Sequence, residues 1–323
     1  MRFVIYGAGA VGGVIGARLR QHGHAVLLIA RGAHLEAIRA GGLRIESADE
    51  SATLAIPVAP DPAAAGLRDD DVVLLAMKSQ DTQGALDALR AVAPEQIAIV
   101  CAQNGVANER AAARLFPNVY AMCVMCPTGH LAPGTVQAYS SPTTGILDLG
   151  RYPSGVDGLA KELAAALSAS RFVSEPRADV MRWKYAKLLM NLGNAIQALC
   201  GSQAPAGPLA RLVRAEALAC LGAAGIDFAS DEEDRQRRAG LLNVRPIGGA
   251  RRQGGSTWQS LARRTGLVET DYLNGEIVLL GRLHGIATPA NALLQRTMDR
   301  AARERWAPGS VRPEDLLAEL GSG

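Results

Sequence analysis

Aromatic residues are scarce in this chain, Phe, Trp and Tyr together making up 4% of it. The cores must therefore be built mainly from Ala, Leu, Val and Ile. Long apolar runs are also missing: none reaches the roughly 18 residues of a membrane-spanning helix, so no membrane partner is expected. Charge of one sign is not in excess. Thirty-four Lys and Arg against 31 Asp and Glu leave +3, too little for a nucleic-acid footprint but compatible with a local pocket for a phosphate. The acidic run Asp231 to Asp234 with Arg235, Arg237 and Arg238 reads as a solvated surface.

The five cysteines are too few, and odd in number, for a disulfide framework. Cys123-Val-Met-Cys126 has redox or metal spacing, yet its flanks, AMCVMCP, are those of an apolar strand. With no second pair and no His-rich segment to complete a zinc set, two reduced, partly buried thiols and no metal are expected. The opening MRFVIYGAGAVGG lacks a basic leader and a cleavage signature, so a cytoplasmic protein is expected.

What is present points to a globular α/β protein. Hydrophobic residues make up 48% and charged residues 20% of 323 residues, enough for two domains and one cleft between them. Strands are predicted at Arg2 to Tyr6, Ala25 to Ala30, Ala52 to Val58, Asp71 to Ala76 and Ile97 to Ala102, alternating with helices such as Thr82 to Ala93 and Asn108 to Leu115. Such alternation makes a parallel sheet covered by helices. Val119 to Val124, Thr135 to Tyr139 and Gly145 to Leu149 extend or flank it, and Gly155 to Ser168 is a further helix. Pro176 restricts the residue before it, which sets a boundary near Glu175. Residues 1–175 are then a Rossmann-type α/β domain and 176–323 an all-α domain. Its helices are predicted at Asp179 to Leu199, Leu209 to Ala224, Ser256 to Arg264, Tyr272 to His284 and Pro289 to Arg303, with a loop from Asn243 to Gly255.

The glycine turn Gly7-Ala8-Gly9-Ala10-Val11-Gly12 follows the apolar strand RFVIY and opens a helix. In that context Gly7 permits the tight turn, Gly9 lets a pyrophosphate reach the backbone, and Gly12 lets helix and strand pack closely. The helix N-terminus adds free amides and positive dipole character. The second strand ends in Ala30-Arg31-Gly32 rather than an acid, which favours NADP(H) over NAD(H), with an exposed surface arginine as the alternative. Lys78 and Asn104 follow the strands that end near Ala76 and Ala102, at carboxyl edges where ligands bind, although each suits an exposed turn equally well.

In WKYAKLLMNLGNAIQALCG, Trp183, Lys187, Asn191 and Asn194 recur at helical spacing and are expected on one face, lining a cleft. Lys187 can stabilise the alkoxide formed when a carbonyl is reduced and can deliver a proton. A surface lysine or an internal salt bridge is the other reading. Asn191 and Asn194 can align substrate oxygens or form a core network. Ser256 can cap the following helix or bind substrate, and Glu269 can bind a ribose hydroxyl, tune Lys187 or help cap a helix, with Asp271 the better cap.

Taken in order, the glycine turn, Lys78, Asn104-Gly105, Lys187-Leu188-Leu189-Met190-Asn191, Ser256 and Glu269-Thr270-Asp271-Tyr272-Leu273-Asn274-Gly275 resemble the ketopantoate reductase (2-dehydropantoate 2-reductase) family along nearly the whole chain. The resemblance implies an NADP-binding Rossmann domain plus a helical substrate domain, and NADPH-dependent reduction of 2-dehydropantoate to (R)-pantoate. It makes Lys187 catalytic, assigns Asn191 and Ser256 to substrate, places Lys78, Asn104, Glu269 and Thr128 on the cofactor side, and suggests a homodimer. Three departures stand out. Ala195 occupies a position where the family often has a second asparagine, Asn194 lying one residue earlier; the stretch from Ser256 to Glu269 is longer by one residue; and Thr128 replaces a frequent alanine. A same-fold reductase of another 2-oxo acid or a β-keto compound therefore remains an alternative, as does a non-catalytic NADP-binding sensor.

Overall fold

The computed structural model describes residues 1–264 and 266–321. The chain divides into two compact units, Met1–Lys184 with Ser230–Arg252, and Tyr185–Ala229 with Gln253–Gly323.

The first unit opens with β1 (Arg2–Tyr6), α1 (Ala10–Gln21), β2 (Val26–Ile29), α2 (Gly32–Gly41), β3 (Leu43–Ser47), β4 (Ser51–Leu54) and β5 (Val58–Ala59). It continues through β6 (Asp71–Leu75), α3 (Thr82–Arg90), β7 (Ala98–Cys101), α4 (Asn108–Ala113), β8 (Asn118–Met125), β9 (Thr128–Gly129), β10 (Thr135–Ala138), β11 (Gly145–Arg151), α5 (Gly158–Ser168) and β12 (Phe172–Val173). Eight strands form one sheet in the order β12-β11-β8-β7-β6-β1-β2-β5. Every pairing in it is parallel except that of β8 with β11. β1, β2, β6 and β7 are apolar without alternation because helices cover both faces, with one core cluster around Ile5, Ile15 and Leu28 and another around Val73, Leu86 and Ile99.

The single strand expected over Ala52 to Val58 is instead two, β4 and β5, in different sheets. Pro57 separates them, and with no N–H of its own it cannot continue a ladder, although its carbonyl accepts from Leu28 N at 2.9 Å. β4 joins β3, β10 and β9 in a second sheet. β3 shows a period-two signature in the sequence, Leu43 and Ile45 being buried while Arg44 is exposed. α5 starts three residues after the expected Gly155, because Asp157 caps it by accepting a bond from Ala160 N at 2.8 Å.

The first unit runs on past the Glu175 boundary expected from sequence, and it takes back a later segment. Asp148, on β11, explains this. Its buried carboxylate accepts from Glu175 N (2.9 Å) and Arg177 Nε (2.9 Å), and two bonds from Arg237 at 2.7 and 2.8 Å. Arg237 lies on α9 (Asp231–Arg238), a helix opened by a capping box between Ser230 and Glu233. The charged run expected to be a solvated surface is thus only partly so: Arg235 is exposed, whereas Arg237 reaches inward to a buried acid. Past α9, Asn243 O accepts from Ser141 N at 3.1 Å and Arg245 N donates to Tyr139 O at 2.7 Å.

α6 (Val180–Asn191) begins in the first unit and ends in the second, which also contains α7 (Gly193–Cys200), α8 (Gly207–Ala223), α10 (Ser256–Ala262), α11 (Asn274–His284), α12 (Pro289–Arg303) and α13 (Pro313–Gly321). One helix was expected over Asp179 to Leu199, but it is interrupted at Leu192, whose carbonyl accepts from the Asn274 side chain at 3.3 Å. Asn274 in turn donates to Asn291 Oδ1 (3.0 Å), and Asn291 donates to Val213 O (3.0 Å) and Glu216 Oε2 (2.7 Å). Glu216 also accepts the first amides of α12, from Ala290 and Asn291, and so complements the positive end of that helix. No described helix is long and apolar enough to cross a membrane.

Candidate functional site

The glycine turn lies at the carboxyl end of β1, beside the carboxyl end of β6. Gly7 has φ +99°, and a Cβ there would sit 2.6 Å from Met77 N, so no other residue fits. A Cβ on Gly12 would run into Gly7 O and lie 2.8 Å from Ala76 Cβ. A Cβ on Gly9 would meet nothing within 4 Å among the described residues beyond its own chain neighbours. Two glycines are thus required by packing, while the middle one leaves open backbone at the start of α1, the arrangement that suits a pyrophosphate. Ala8 is buried, Ala10 and Val11 are half-buried, and no side chain caps the helix N-terminus.

His34, on α2, holds this turn from the side. Its Nε2 is 2.7 Å from Ala8 O and its Nδ1 accepts from Gly134 N at 2.9 Å, which fixes the neutral tautomer with the proton on Nε2. Burial lowers its pKa, consistent with that state. Arg31, the residue before α2, is largely exposed and its guanidinium is paired with Asp81 at 3.1 Å.

Lys78 follows β6 and precedes a short 3-10 turn over Ser79–Asp81; Asn104 follows β7. Both are half-buried. A buried amide and hydroxyl network ties their two turns together. Gln103 Nε2 donates to Met77 O (3.0 Å) and Thr82 Oγ1 (2.8 Å), and Thr82 Oγ1 donates to Asn108 Oδ1 (2.8 Å). Asn108 Nδ2 then donates to Ser79 Oγ (3.0 Å) and Asn104 O (3.1 Å). Gln103, Thr82 and Asn108 were not singled out from sequence. The available signal was their polarity beside apolar strands, where a buried amide must find partners.

Lys184 is a further residue that sequence reasoning passed over. It is 2% exposed and pairs with the fully buried Glu109 of α4 at 2.6 Å. It also donates to Gln103 O (2.8 Å) and Met122 O (3.3 Å). Its ammonium therefore clamps the residue before Asn104 to the start of α6, the helix that carries Lys187 and Asn191. Neither oxygen of Glu109 accepts a well-directed hydrogen bond, so the attraction is chiefly Coulombic. Trp183, expected on the same polar face as Lys187, is instead buried in the first unit with the Arg177 guanidinium 4.2 Å from its ring centre.

In the second unit Lys187 is half-buried, Asn191 is 6% exposed, and Asn194 is half-buried on α7. Gly255 N donates to Gln197 Oε1 at 2.7 Å, and a Cβ on Gly255 would stand 3.3 Å from Asn194 Oδ1. Asn194 is thereby brought against the turn that delivers Ser256. Ser256 is the first residue of α10 rather than its cap, Gly255 occupying the cap position with no side-chain bond. Its hydroxyl is thus not the N-cap acceptor that pattern favoured. Glu269 is buried and Asp271 accepts from Gln295 at 2.8 Å; neither caps a helix. Thr128, on β9, is buried in the first unit.

Cys123 and Cys126 are free thiols donating to the carbonyls of Trp183 (3.6 Å) and Thr144 (3.5 Å). Burial pushes the Cys126 pKa up to about 12. Among the described residues no cluster of His, Cys, Asp and Glu is arranged to hold a metal ion.

The chain matches the family described as Ketopantoate reductase PanE/ApbA over residues 3–153, and the C-terminal region of that family over 179–301. A ketopantoate reductase of this family from Ralstonia eutropha JMP134 is 32% identical, superimposes with a TM-score of 0.78, and is matched over 94% of this chain and 99% of its own. A 2-dehydropantoate 2-reductase from Pyrococcus horikoshii is 29% identical over 196 residues, 59% of this chain, and the chain spans 61% of that protein's length. The fold is also that of D-mandelate dehydrogenase in its ternary structure with NADH and anilino(oxo)acetate, at TM-score 0.81, 23% identity, and coverage of 94% of this chain and 99% of that one. With both halves of the family matched and a solved relative aligned almost end to end, this chain belongs to the ketopantoate reductase family.

Proposed function

We propose that the protein is a nicotinamide-dependent oxidoreductase that reduces 2-dehydropantoate to (R)-pantoate with NADPH. The observation that carries this reading is the open backbone over Gly9 between two glycines that packing forbids to change, at the carboxyl edge of a parallel sheet. Family membership supports 2-dehydropantoate as the substrate.

The residues fit a dinucleotide. The amides at the start of α1 would hold the pyrophosphate, Lys78 and Asn104 stand on two turns locked by the Gln103, Thr82 and Asn108 network, and Arg31 would be available to a ribose phosphate once it leaves Asp81. When bound, the reduced nicotinamide supplies the hydride. The chain's own chemistry falls to Lys187, whose ammonium stabilises the oxygen that becomes an alkoxide and gives it a proton. Asn191, Asn194 and Ser256 hold the acid in register, and Glu269 serves the cofactor side or the lysine. The enzyme is cytoplasmic in this reading and works as a homodimer.

Lys187→Ala should lower kcat by about 10²- to 10⁴-fold while leaving NADPH affinity within about twofold, as loss of a group needed only in the transition state requires. Equal turnover in variant and parent would remove the assigned role. Reduction of another 2-oxo acid is the second reading, favoured by Ala195 at a position where the family often has asparagine. A panel of 2-oxo acids assayed beside 2-dehydropantoate decides between them, a clearly better substrate than 2-dehydropantoate rejecting the first.

A further inference from the structure

Inward-facing arginines in the first unit follow one rule, to which Arg252 is the exception. Arg2 meets Asp71, Arg18 meets Glu50, and Arg177 and Arg237 both meet Asp148. Arg252 is half-buried, and among the described residues its one hydrogen bond runs from Nε to Thr128 O at 3.4 Å. Among the described residues no carboxylate pairs with it.

The two acidic groups that approach it carry no charge near neutral pH. Tyr139 donates its hydroxyl proton to Gln137 Oε1 at 2.9 Å, and Cys126 donates its thiol proton to Thr144 O at 3.5 Å. Both are therefore protonated, and burial raises the pKa of each. A carboxylate beyond Tyr139, Glu46, is occupied with Gln137 (3.2 Å) and Arg44 (2.9 Å). Burial lowers the Arg252 pKa, with Cys126 and Tyr139 opposing the shift. A guanidinium cannot shed its proton at physiological pH, so the protein bears an uncompensated charge in a partly desolvated place. Such a cost is ordinarily met by a counter-charge.

The position fits a ligand that supplies one. Cys126 immediately follows β8, so Arg252 stands at the carboxyl edge of the parallel strands, the edge where ligands bind. It also touches the carbonyl of Thr128, and Ser256 follows it four residues later in the chain.

We propose that Arg252 is an anion-binding residue of the active enzyme, its free guanidinium edge taking a pair of oxyanion atoms from a bound reactant. The proposal rests on the oxidoreductase reading for the identity of that reactant. The carboxylate of the 2-oxo acid is the favoured source, because a planar fork matches a carboxylate through two parallel bonds and the cofactor's pyrophosphate already has the start of α1. A cofactor phosphate is the other source of the same chemistry.

The test uses Arg252→Gln and Arg252→Lys in the full chain. Stability comes first, because a structural arginine and a waiting ligand residue behave oppositely. Without ligand, Arg252→Gln should melt at the parent's temperature or above it, since an unpaired charge has been removed. In the parent, oxamate in the presence of NADPH should raise the melting temperature, and that rise should vanish in Arg252→Gln and partly return in Arg252→Lys. With 2-dehydropantoate, KM should rise about 10- to 100-fold in Arg252→Gln while the NADPH dissociation constant stays within about twofold. A comparable loss confined to NADPH affinity would identify a cofactor phosphate as the anion. Unchanged KM and NADPH affinity, with a lowered ligand-free melting temperature, would overturn the proposal. If no 2-oxo acid is turned over by the parent, the function proposed above fails, and the Arg252-dependent response to oxamate still reads this inference separately.

Discussion

Replacing Lys184 by Met leaves Glu109 as a carboxylate with no counter-charge and almost no solvent, its side chain being 0% exposed. The variant also strips donors from Gln103 O and Met122 O. Removing one partner of a buried pair typically costs about 3–5 kcal/mol, far above the value of an exposed pair, because the remaining charge keeps its desolvation penalty. For a unit of this size that corresponds to a drop in melting temperature of roughly 6–20 °C. Lys184→Met with Glu109→Gln should recover most of the loss, to within about 2 kcal/mol of the parent, because a neutral pair no longer carries that penalty. Thermal and urea unfolding of the parent, the single variant and the double variant form the assay. A Lys184→Met protein within about 1 kcal/mol of the parent would refute the reasoning, for it would mean that the charge on Glu109 is solvated or neutralised by other means.

Three further outcomes follow from the same geometry. Gly12→Ala places a methyl group 2.8 Å from Ala76 Cβ and 2.9 Å from Ile5 Cγ2; it should weaken NADPH binding, measured by fluorescence titration, by more than tenfold, or about 1.4 kcal/mol, whereas parental affinity would show that α1 can move off β1. Asp148→Ala removes the acid shared by Arg177 and Arg237 and should destabilise the first unit by about 3 kcal/mol, with proteolytic cleavage appearing first in Ser230–Arg252; an unchanged cleavage pattern would contradict the assigned anchor. Because burial holds Cys126 near 12, its thiolate fraction at pH 8 is roughly 10⁻⁴ against about a quarter for an ordinary thiol. Alkylation of native protein by iodoacetamide should accordingly leave Cys126 unmodified long after a free thiol has reacted, and rapid labelling there by mass spectrometry would show that the site opens.

Much of this protein was legible in the residue order. RFVIY followed by Gly7-Ala8-Gly9-Ala10-Val11-Gly12 determined a strand, a turn and a helix, because only glycine meets the three local demands, and the structure has β1 and α1 where the pattern puts them. Apolar strands such as Val26–Ile29 and Ala98–Cys101, alternating with helices, determined a buried parallel sheet. The ordered set of motifs from Gly7 to Gly275 identified the family.

Tertiary structure decided what depends on partners distant in the chain. The return of Ser230–Arg252 to the first unit turns on Arg237 finding Asp148, 89 residues away. The break at Leu192 depends on Asn274, and the burial of Lys184 depends on Glu109. In each case a polar group gives up water for one specific partner, and no local propensity says which. Arg252 shows the converse. Its residue type is plain in the sequence, but that no carboxylate among the described residues pairs with it appears only when its neighbours are in place.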